Sequence, residues 1–356
     1  MIPSVPPRRF LFRALRLLPL VFLTWTAGAQ TSDRDILRTL QAEQPRDLAV
    51  RRALAYLRGQ QKADGTVAGH FPAALTSMAV MAHFAAGHPP ADQEHGPWLK
   101  RGIHAVLAQQ NGDGYFGERD GSRMYGHGIC TLMLAEALGM AHDEELDESI
   151  RRALKLAVRV TVNAALVPKS ARDAGGWRYT PDTTESDLSL SGWQIMGLHA
   201  TQQVGLPVPG AVLTNAVAYT LRLINPDGKV GYQAPGEDRP ALRGLALLVL
   251  VIGHEEKNPV AKRVAERLLA DPLAWTGDRF YYRAYYDAVG LSRAFPAEWE
   301  KYLPAYETTL LAHQLPDGSF DATGDSEAKG AGPIYSTSMA VMALAVQRHV
   351  LPAYQR

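Results

Sequence analysis

Two kinds of helical pattern alternate along the chain. One kind is amphipathic: residues 146–162 place Leu146, Ile150 and Leu154 on one stripe and basic residues on the other side. The other kind is apolar on nearly every side, as in residues 336–345, and must be enclosed by the rest of the fold. We predict an all-α protein, because no stretch alternates β-branched and polar residues as a strand does.

The two patterns occur in pairs, and six pairs follow one another. In each pair the amphipathic helix comes first, a Gly-containing turn follows, and the apolar helix ends the pair. Four of the turns contain Asp-Gly, with the Asp at positions 64, 113, 227 and 317; there Gly supplies a positive φ and Asp caps the backbone. The predicted pairs occupy about 48–88, 99–140, 146–204, 211–254, 259–294 and 296–350.

Six such pairs can bury their apolar helices by closing into a ring. An open helical array needs polar caps at its ends, yet the last pair is among the most apolar of the six. We therefore predict an α6/α6 toroid, one domain over residues 48–356. Its apolar helices form an inner ring and its amphipathic helices form an outer ring.

The first residues predict a secretory signal peptide. Four arginines between positions 8 and 16 precede the apolar stretch 17–26, and Ala27-Gly28-Ala29 matches a small-x-small cleavage pattern. Residues 1–29 are thus predicted to be removed on export to the periplasm or the medium, and residues 30–47 to lead into the toroid. An uncleaved amphipathic anchor is the alternative, since the apolar stretch is too short to span a bilayer. We expect no transmembrane span after cleavage.

Composition narrows the function. The chain has 37 lysines and arginines against 36 aspartates and glutamates, so it lacks the positive field that attracts nucleic acid, and we predict no nucleic-acid partner. Its single cysteine, Cys130, cannot form an internal disulfide and lies in an apolar helical run, as a structural thiol does. The histidines form no i, i+4 pair on one helix face, so we predict neither a metal nor a cofactor.

A motif recurs at the turns. Gln-Gln-x-x-Asp-Gly occurs at 60–65 and 109–114, and Gln-x-x-Asp-Gly-Ser-Phe occurs at 314–320. These segments resemble the Gln/Trp-type repeats of the squalene-hopene cyclase and protein prenyltransferase superfamily. The chain from about Leu48 onward resembles exported bacterial prenyltransferase/squalene-oxidase-repeat proteins, above all in residues 124–140, 175–198, 280–294 and 332–346. The resemblance implies an α/α toroid around a cavity for a small apolar or amphipathic, isoprenoid-like ligand.

The resemblance also implies candidate catalytic residues. Triterpene cyclases of this superfamily protonate their substrate with an aspartic acid in a D-x-D-D motif, and the nearest counterpart here is Glu185-Ser186-Asp187-Leu188. Asp187 and Glu185 are therefore the candidate acids of a cyclase or isomerase, although Leu188 leaves the motif incomplete. Judged by position alone, Asp187 also suits the N-cap of the helix that follows, so both roles stay open. The two-domain cyclases are longer, and the resemblance implies that they need a second barrel.

Aromatic and polar side chains gather at or near the starts of the predicted inner helices. Aromatic faces stabilise cationic terpenoid intermediates or stack on sugar rings, and the alternative for each residue is packing between neighbouring helices. Trp193 lies one turn into its helix and is assigned to the core. The predicted cavity residues are Tyr125, His127, Trp177, Tyr179, Tyr281, Tyr282, Tyr285 and Tyr335.

Three functions remain open at this point. The first is a terpenoid cyclase or prenyltransferase-like toroid that holds an isoprenoid-like ligand, with cyclase activity in question because the acid motif is incomplete. The second is a binding or scaffolding toroid of the cell envelope without catalysis. The third is a polysaccharide lyase, in which Tyr125 with His127, or Tyr285 with Arg283, would supply the base and the cation.

Overall fold

Two layers of α-helices make up the fold. The computed structural model describes residues 44–276 and 278–348, and this part of the chain holds thirteen α-helices and no β-strand. The prediction of an all-α protein is confirmed. The predicted signal peptide, 1–29, and the lead-in residues 30–43 lie outside the described residues.

The helices are α1 (Pro45–Gly59), α2 (Pro72–Ala85), α3 (Gly96–Leu107), α4 (Arg123–Ala137), α5 (Glu144–Leu166), α6 (Leu188–Gln203), α7 (Gly210–Arg222), α8 (Arg243–Ile252), α9 (Pro259–Ala270), α10 (Phe280–Ala294), α11 (Pro296–Leu311), the short α12 (Ala328–Ala331) and α13 (Pro333–Leu344). Single 3₁₀ turns lie at Pro240–Leu242, directly before α8, and at Val346–Arg348.

The two helical patterns of the sequence fill the two layers. In the apolar helices α2 and α13, every residue over 73–85 and 334–344 is buried. In the amphipathic α5, Leu146 and Ile150 are buried while Arg151 is exposed. Helices with one apolar stripe cover helices that are apolar all round, so both kinds bury their apolar surface.

The inner layer closes on itself. It consists of α2, α4, α6, α8, α10 and α13; each packs against the next, and α13 packs against α2. The outer helices α1, α3, α5, α7, α9 and α11 lie against this layer, and α5, for example, contacts both α4 and α6. All these helices belong to one compact unit that begins at Gln44.

Glutamine side chains brace three of the turns against the next outer helix. Gln314 joins the last outer helix to the first, because its Nε2 donates to Gly318 O (3.0 Å) and to Ala49 O in α1 (2.8 Å). Gly318 has φ +93° and approaches α1 so closely that a Cβ would lie 2.5 Å from Arg52 O. The same two bonds run from Gln61 to Gly65 O and Trp98 O, and from Gln110 to Gly114 O and Ala153 O.

Among the described residues, none of the helices combines enough length with enough apolar character to cross a bilayer.

Candidate ligand-binding cavity

A cavity of about 630 Å³ lies at the end of the ring where the inner helices begin. This volume falls within the range of about 300–1,000 Å³ that is typical of small-molecule sites. All six inner helices, or the segments leading into them, contribute to the wall. The lining residues are Phe71, Ala74, Leu75, Met78, Gly121, Ser122, Arg123, Tyr125, Ile129, Tyr179, Ser189, Trp193, Tyr232, Arg239, Ala241, Leu242, Asp278, Arg279, Tyr282, Glu327, Ala331 and Tyr335.

The wall changes from charged to apolar with depth. Met78, Ile129 and Trp193 lie five or six residues beyond the first residue of their helices. At 1.5 Å per residue this is roughly 8–9 Å along the helix axis. Arg123 and Arg279 lie instead at the helix starts. The cavity therefore has a charged rim and an apolar interior.

Aromatic rings dominate the interior, and others support them from behind. Trp193 stacks on the buried Tyr285, with ring centroids 6.2 Å apart and planes inclined by 11°. Tyr282 packs on Tyr286 with centroids 4.6 Å apart. Such backing limits the rotation of the cavity-facing rings and presents their faces to a ligand.

Asp187 caps α6 and reaches the cavity only through other side chains. Its Oδ1 accepts hydrogen bonds from the Leu190 N–H (2.8 Å) and the Ser189 hydroxyl (2.9 Å), and the side chain is fully buried. Ser189 lines the cavity, and its Oγ lies 2.6 Å from the hydroxyl of Tyr125. Burial raises the pKa of Asp187, and the bonds from Leu190 and Ser189 oppose that shift.

Two wall tyrosines, Tyr179 and Tyr232, lie near Asp187, and an arginine outside the wall packs on both of them. The guanidinium of Arg178 lies over the rings of Tyr179 (5.1 Å) and Tyr232 (6.0 Å), and it pairs with Glu185 at 3.4 Å. Burial, together with the charge of Asp187, raises the pKa of Tyr232. Glu185 is 60% exposed and is not a wall residue, so the structure separates the two predicted acids.

Glu327 is a carboxyl that lines the cavity directly. It directly precedes α12, where its Oε1 accepts from Arg279 Nε (3.0 Å) and its Oε2 accepts from the Tyr335 hydroxyl (2.9 Å). Asp325 fixes this turn by accepting from the N–H groups of Glu327 (3.0 Å) and Ala328 (2.7 Å). The Glu327 side chain is 36% exposed, yet its surroundings still raise the pKa by desolvation; Tyr335 and Arg279 oppose the shift.

Three rim residues have a left-handed backbone. They are Phe71 (φ 45°), Arg123 (φ 57°) and Arg279 (φ 48°), and each caps or begins an inner helix. The described residues include five non-glycine residues with positive φ, so most of them lie at this one cavity. Such a backbone costs about 1–3 kcal/mol for a residue other than glycine, and it recurs at functional sites.

Half of the predicted cavity residues line the cavity. These four are Tyr125, Tyr179, Tyr282 and Tyr335. The other four, His127, Trp177, Tyr281 and Tyr285, are fully buried between helices and are not wall residues, which is the packing alternative for each.

Contacts away from the cavity hold two of these buried residues. His127 Nε2 lies 3.1 Å from Ala157 O, and the Trp177 Nε1–H donates to Thr161 O (2.9 Å), both in α5. Burial lowers the pKa of His127 to about 4. Arg283, which would act with Tyr285 in a lyase, is buried and paired with Asp287 at 3.1 Å.

Sequence reasoning missed five functional candidates on the wall and assigned a sixth, Trp193, to the core. The five are Arg123, Tyr232, Arg239, Arg279 and Glu327. Arg123 and Arg279 occupy the same helix-start positions that singled out the tyrosines, so attention to charged residues there would have found them. Glu327 lies in a turn directly before the short α12, in a stretch of sequence that shows no amphipathic or apolar helical pattern.

The sequence predicts that the described part of the chain holds no metal and that its one cysteine is a structural thiol. No group of three or more His, Cys, Asp or Glu side chains there is arranged to hold a metal ion. Cys130 is buried 3.4 Å from Ser77 Oγ, and burial raises the pKa of its thiol.

Solved structures share this fold. A variant of the type II terpene cyclase MstE from Scytonema, in complex with the product merosterolic acid A, matches with TM-score 0.57 and 13% identity over 86% of this chain and 98% of that chain. Apo MstE matches with TM-score 0.54 and 13% identity over 86% and 99%. A protein from Actinoplanes matches with TM-score 0.51 and 17% identity over 87% and 100%. The chain has a terpene-cyclase-like fold.

The resemblance seen in the repeats is thus confirmed at the level of the fold. No protein-family model and no curated protein matches the chain. The match covers 98–99% of MstE, so one terpene-cyclase-like unit makes up almost all of that cyclase. MstE is thus not one of the two-domain cyclases, and the expectation that those need a second barrel stays a prediction. At 13% identity the likeness concerns the fold, and function must be argued from the cavity.

Proposed function

We propose that the chain binds an amphipathic, isoprenoid-like molecule in the cavity at the centre of its helical ring. The proposal is supported by the residues that line the cavity. Met78, Ile129, Trp193 and Tyr282 form an apolar interior behind a charged rim. Burying a branched hydrocarbon there gains roughly 25 cal/mol per Å² of apolar surface. MstE, which shares the fold, is described in complex with the substrate geranylgeranyl dihydroxybenzoate.

Binding of geranylgeraniol, measured by isothermal titration calorimetry, tests this proposal. Met78→Trp would fill the interior and should abolish binding, while the matched change Leu221→Trp on outer helix α7 should leave it intact. Circular dichroism melts would establish that both variants fold. Equal affinity of the two variants would contradict a central binding site.

A second candidate function is proton-initiated cyclisation of the bound isoprenoid. Two carboxyl groups with raised pKa favour it: Glu327 on the wall, and Asp187 behind Ser189. A raised pKa lets a carboxyl group keep its proton to a higher pH, and a protonated carboxyl group can transfer that proton to an alkene carbon. Mass analysis of polyprenyl substrates incubated with wild type, Asp187→Asn and Glu327→Gln would test it. Product lost in either variant supports cyclisation; binding without any product leaves the toroid as a binding module.

The lyase alternative has less support in the cavity. His127 and Arg283, which would complete its two proposed residue pairs, are buried and engaged elsewhere. If the protein is incubated with acidic glycans and no absorbance from newly formed unsaturated uronates appears, this candidate is removed.

We also propose that the chain is exported and cleaved after Ala29. The support is the sequence: basic residues, a short apolar stretch and a small-x-small site precede Gln30. Mass analysis of the protein recovered from the periplasm or medium of a bacterial host should find Gln30 at the N-terminus. An intact N-terminus in the membrane fraction would favour the anchor instead.

A further inference from the structure

The rim of the cavity carries three arginines, and two of them are already paired with acids. Arg279 lies 3.0 Å from Asp278 Oδ1 and 3.0 Å from Glu327 Oε1. Arg239 pairs with Glu237 at 3.0 Å. The two acids on the wall, Asp278 and Glu327, are thus both engaged by one arginine.

Arg123 is the rim arginine without such a partner. Within the part of the chain that the structure describes, its guanidinium makes no ion pair and no hydrogen bond. Its contact is with the ring of Tyr179, whose centroid lies 6.0 Å away. The positive charge of Arg123, which is exposed at the charged rim of the cavity, is therefore not paired with an acid in the described part of the chain.

The backbone anchors Arg123 at this place. Its N–H donates to Gly117 O (2.8 Å), and the N–H of Met124 donates to Tyr179 O (3.1 Å). Gly117 approaches so closely that a Cβ would lie 1.8 Å from Arg123 O. These contacts hold Arg123 at φ 57° on the cavity wall, a conformation that glycine would adopt at lower cost.

The charge of a ligand can be judged from this arrangement. A cationic head would leave Arg123 unpaired and would compete with Arg279 for its two acids. A neutral head would gain a weaker hydrogen bond from the guanidinium than an anion would. A carboxylate or a phosphate would match the fork of N–H donors and compensate the charge.

We infer that the ligand is an amphipathic anion, with its carboxylate or phosphate bound by Arg123 and its hydrocarbon part among Met78, Ile129 and Trp193. This inference rests on the proposed function and adds the class of the head group. Arg239, on the segment before α8, is the second rim arginine within the same wall.

Three probes with one hydrocarbon tail test the inference: geranylgeraniol, geranylgeranoic acid and geranylgeranyl phosphate. Their dissociation constants are measured by titration calorimetry on the protein without residues 1–29, at low and high salt. We expect the anions to bind about tenfold more tightly than the alcohol, as a charge-assisted hydrogen bond would give. The preference should shrink as salt rises. The acid and phosphate arms distinguish the two kinds of anion.

Variants assign the preference to one side chain. Arg123→Gln should remove most of the preference for the anions and change the affinity for the alcohol little, because a Gln amide can still donate a neutral hydrogen bond, whereas Arg123→Lys should retain part of the preference. Arg123→Gly removes the guanidinium while relaxing the left-handed backbone, so it serves if Arg123→Gln folds poorly. Arg159→Gln, on the exposed side of α5, is the matched control and should change nothing.

Each outcome decides a different claim. An alcohol that binds as tightly as both anions would overturn the inference and leave the proposed function standing. Equal weakening of all three probes by Arg123→Gln would also overturn it, because that result indicates a structural role for the loop. Failure of all three probes to bind wild type would remove the proposed function and, with it, this inference.

Discussion

Each connection from an outer helix to an inner helix has an outer end and a cavity end. Left-handed backbone occurs at both kinds of end, but on different residue types. At the outer end the left-handed backbone falls on glycine, as at Gly65 (φ 86°) and Gly318 (φ 93°). At the cavity end it falls on Phe71, Arg123 and Arg279. Glycine adopts this conformation at little cost and other residues do not. The outer ends are therefore suited to stability, and the cavity ends keep side chains in place despite the strain.

The largest effect is expected at the outer end. Gly318→Ala would strain a positive φ and bring a Cβ against Arg52 O, so the free energy of unfolding should fall by about 2 kcal/mol or more. Gly59→Ala, at the end of α1 with open space around it, should be neutral or slightly stabilising. Urea unfolding measures both. Equal midpoints would contradict the difference between the two ends.

A smaller loss should follow removal of the glutamine brace. Gln314→Ala leaves the carbonyls of Gly318 and Ala49 without their donor, at a cost of about 1–3 kcal/mol. Gln110→Ala, which removes the equivalent brace elsewhere in the ring, should cost the same. If Gln314→Ala left stability unchanged while Gln110→Ala lowered it, the last and first outer helices would not be joined as described.

At the cavity end, removing a side chain should stabilise the fold. Arg123→Gly relieves a left-handed backbone, and we expect a gain of about 1 kcal/mol. Arg159→Gly, inside α5, should instead cost about 1 kcal/mol. Thermal melts provide the comparison. A loss of stability in Arg123→Gly would show that the rim backbone is not strained.

The smallest effect concerns pH at the rim. The surroundings raise the pKa of Glu327 above 4.5, so the folded state keeps this proton to a higher pH than the unfolded state. Stability from this group therefore falls as pH rises from 4.5 towards the folded pKa. Relative to Glu327→Gln, wild type should lose stability over that window.

Exposed Glu300→Gln is the control for this pH series. It measures how the removal of an exposed carboxyl that does not line the cavity changes stability over the same pH range. A difference between Glu327→Gln and wild type that stays constant with pH would show that the fold does not perturb the Glu327 carboxyl.

The sequence predicted the turns at the outer ends of the connections better than it predicted the side chains that face the cavity at the other ends. The Asp-Gly turns follow local rules, since Asp317 Oδ1 accepts from Ser319 N (3.0 Å) and the next residue, Gly318, takes the positive φ. Such contacts join neighbours in the chain, so a motif can encode them. The all-α fold could be predicted as well, because helices that are apolar on all sides must be enclosed by other helices.

The cavity depends on contacts between distant segments, which no local pattern encodes. Tyr125 contacts Ser189, which lies 64 positions further along the chain and in turn donates to Asp187, and Glu327 pairs with Arg279 across 48 positions. Tyr125 was found because it begins an inner helix, whereas Tyr281 begins one too and donates to Asp321 O instead. Its neighbour Tyr282 lines the cavity, so two adjacent residues at the start of α10 face different surroundings, and only the packing decides which one meets the cavity.

Photo-crosslinking tests the central claim most directly. A geranylgeranyl probe with a photoreactive group at the tail end would be irradiated with the protein, and the adducts mapped by mass spectrometry. The account predicts adducts on Met78, Ile129 and Trp193, and their loss when excess geranylgeraniol competes. Adducts confined to the outer surface, such as the exposed Leu166 beside a smaller cavity of about 230 Å³, would contradict it.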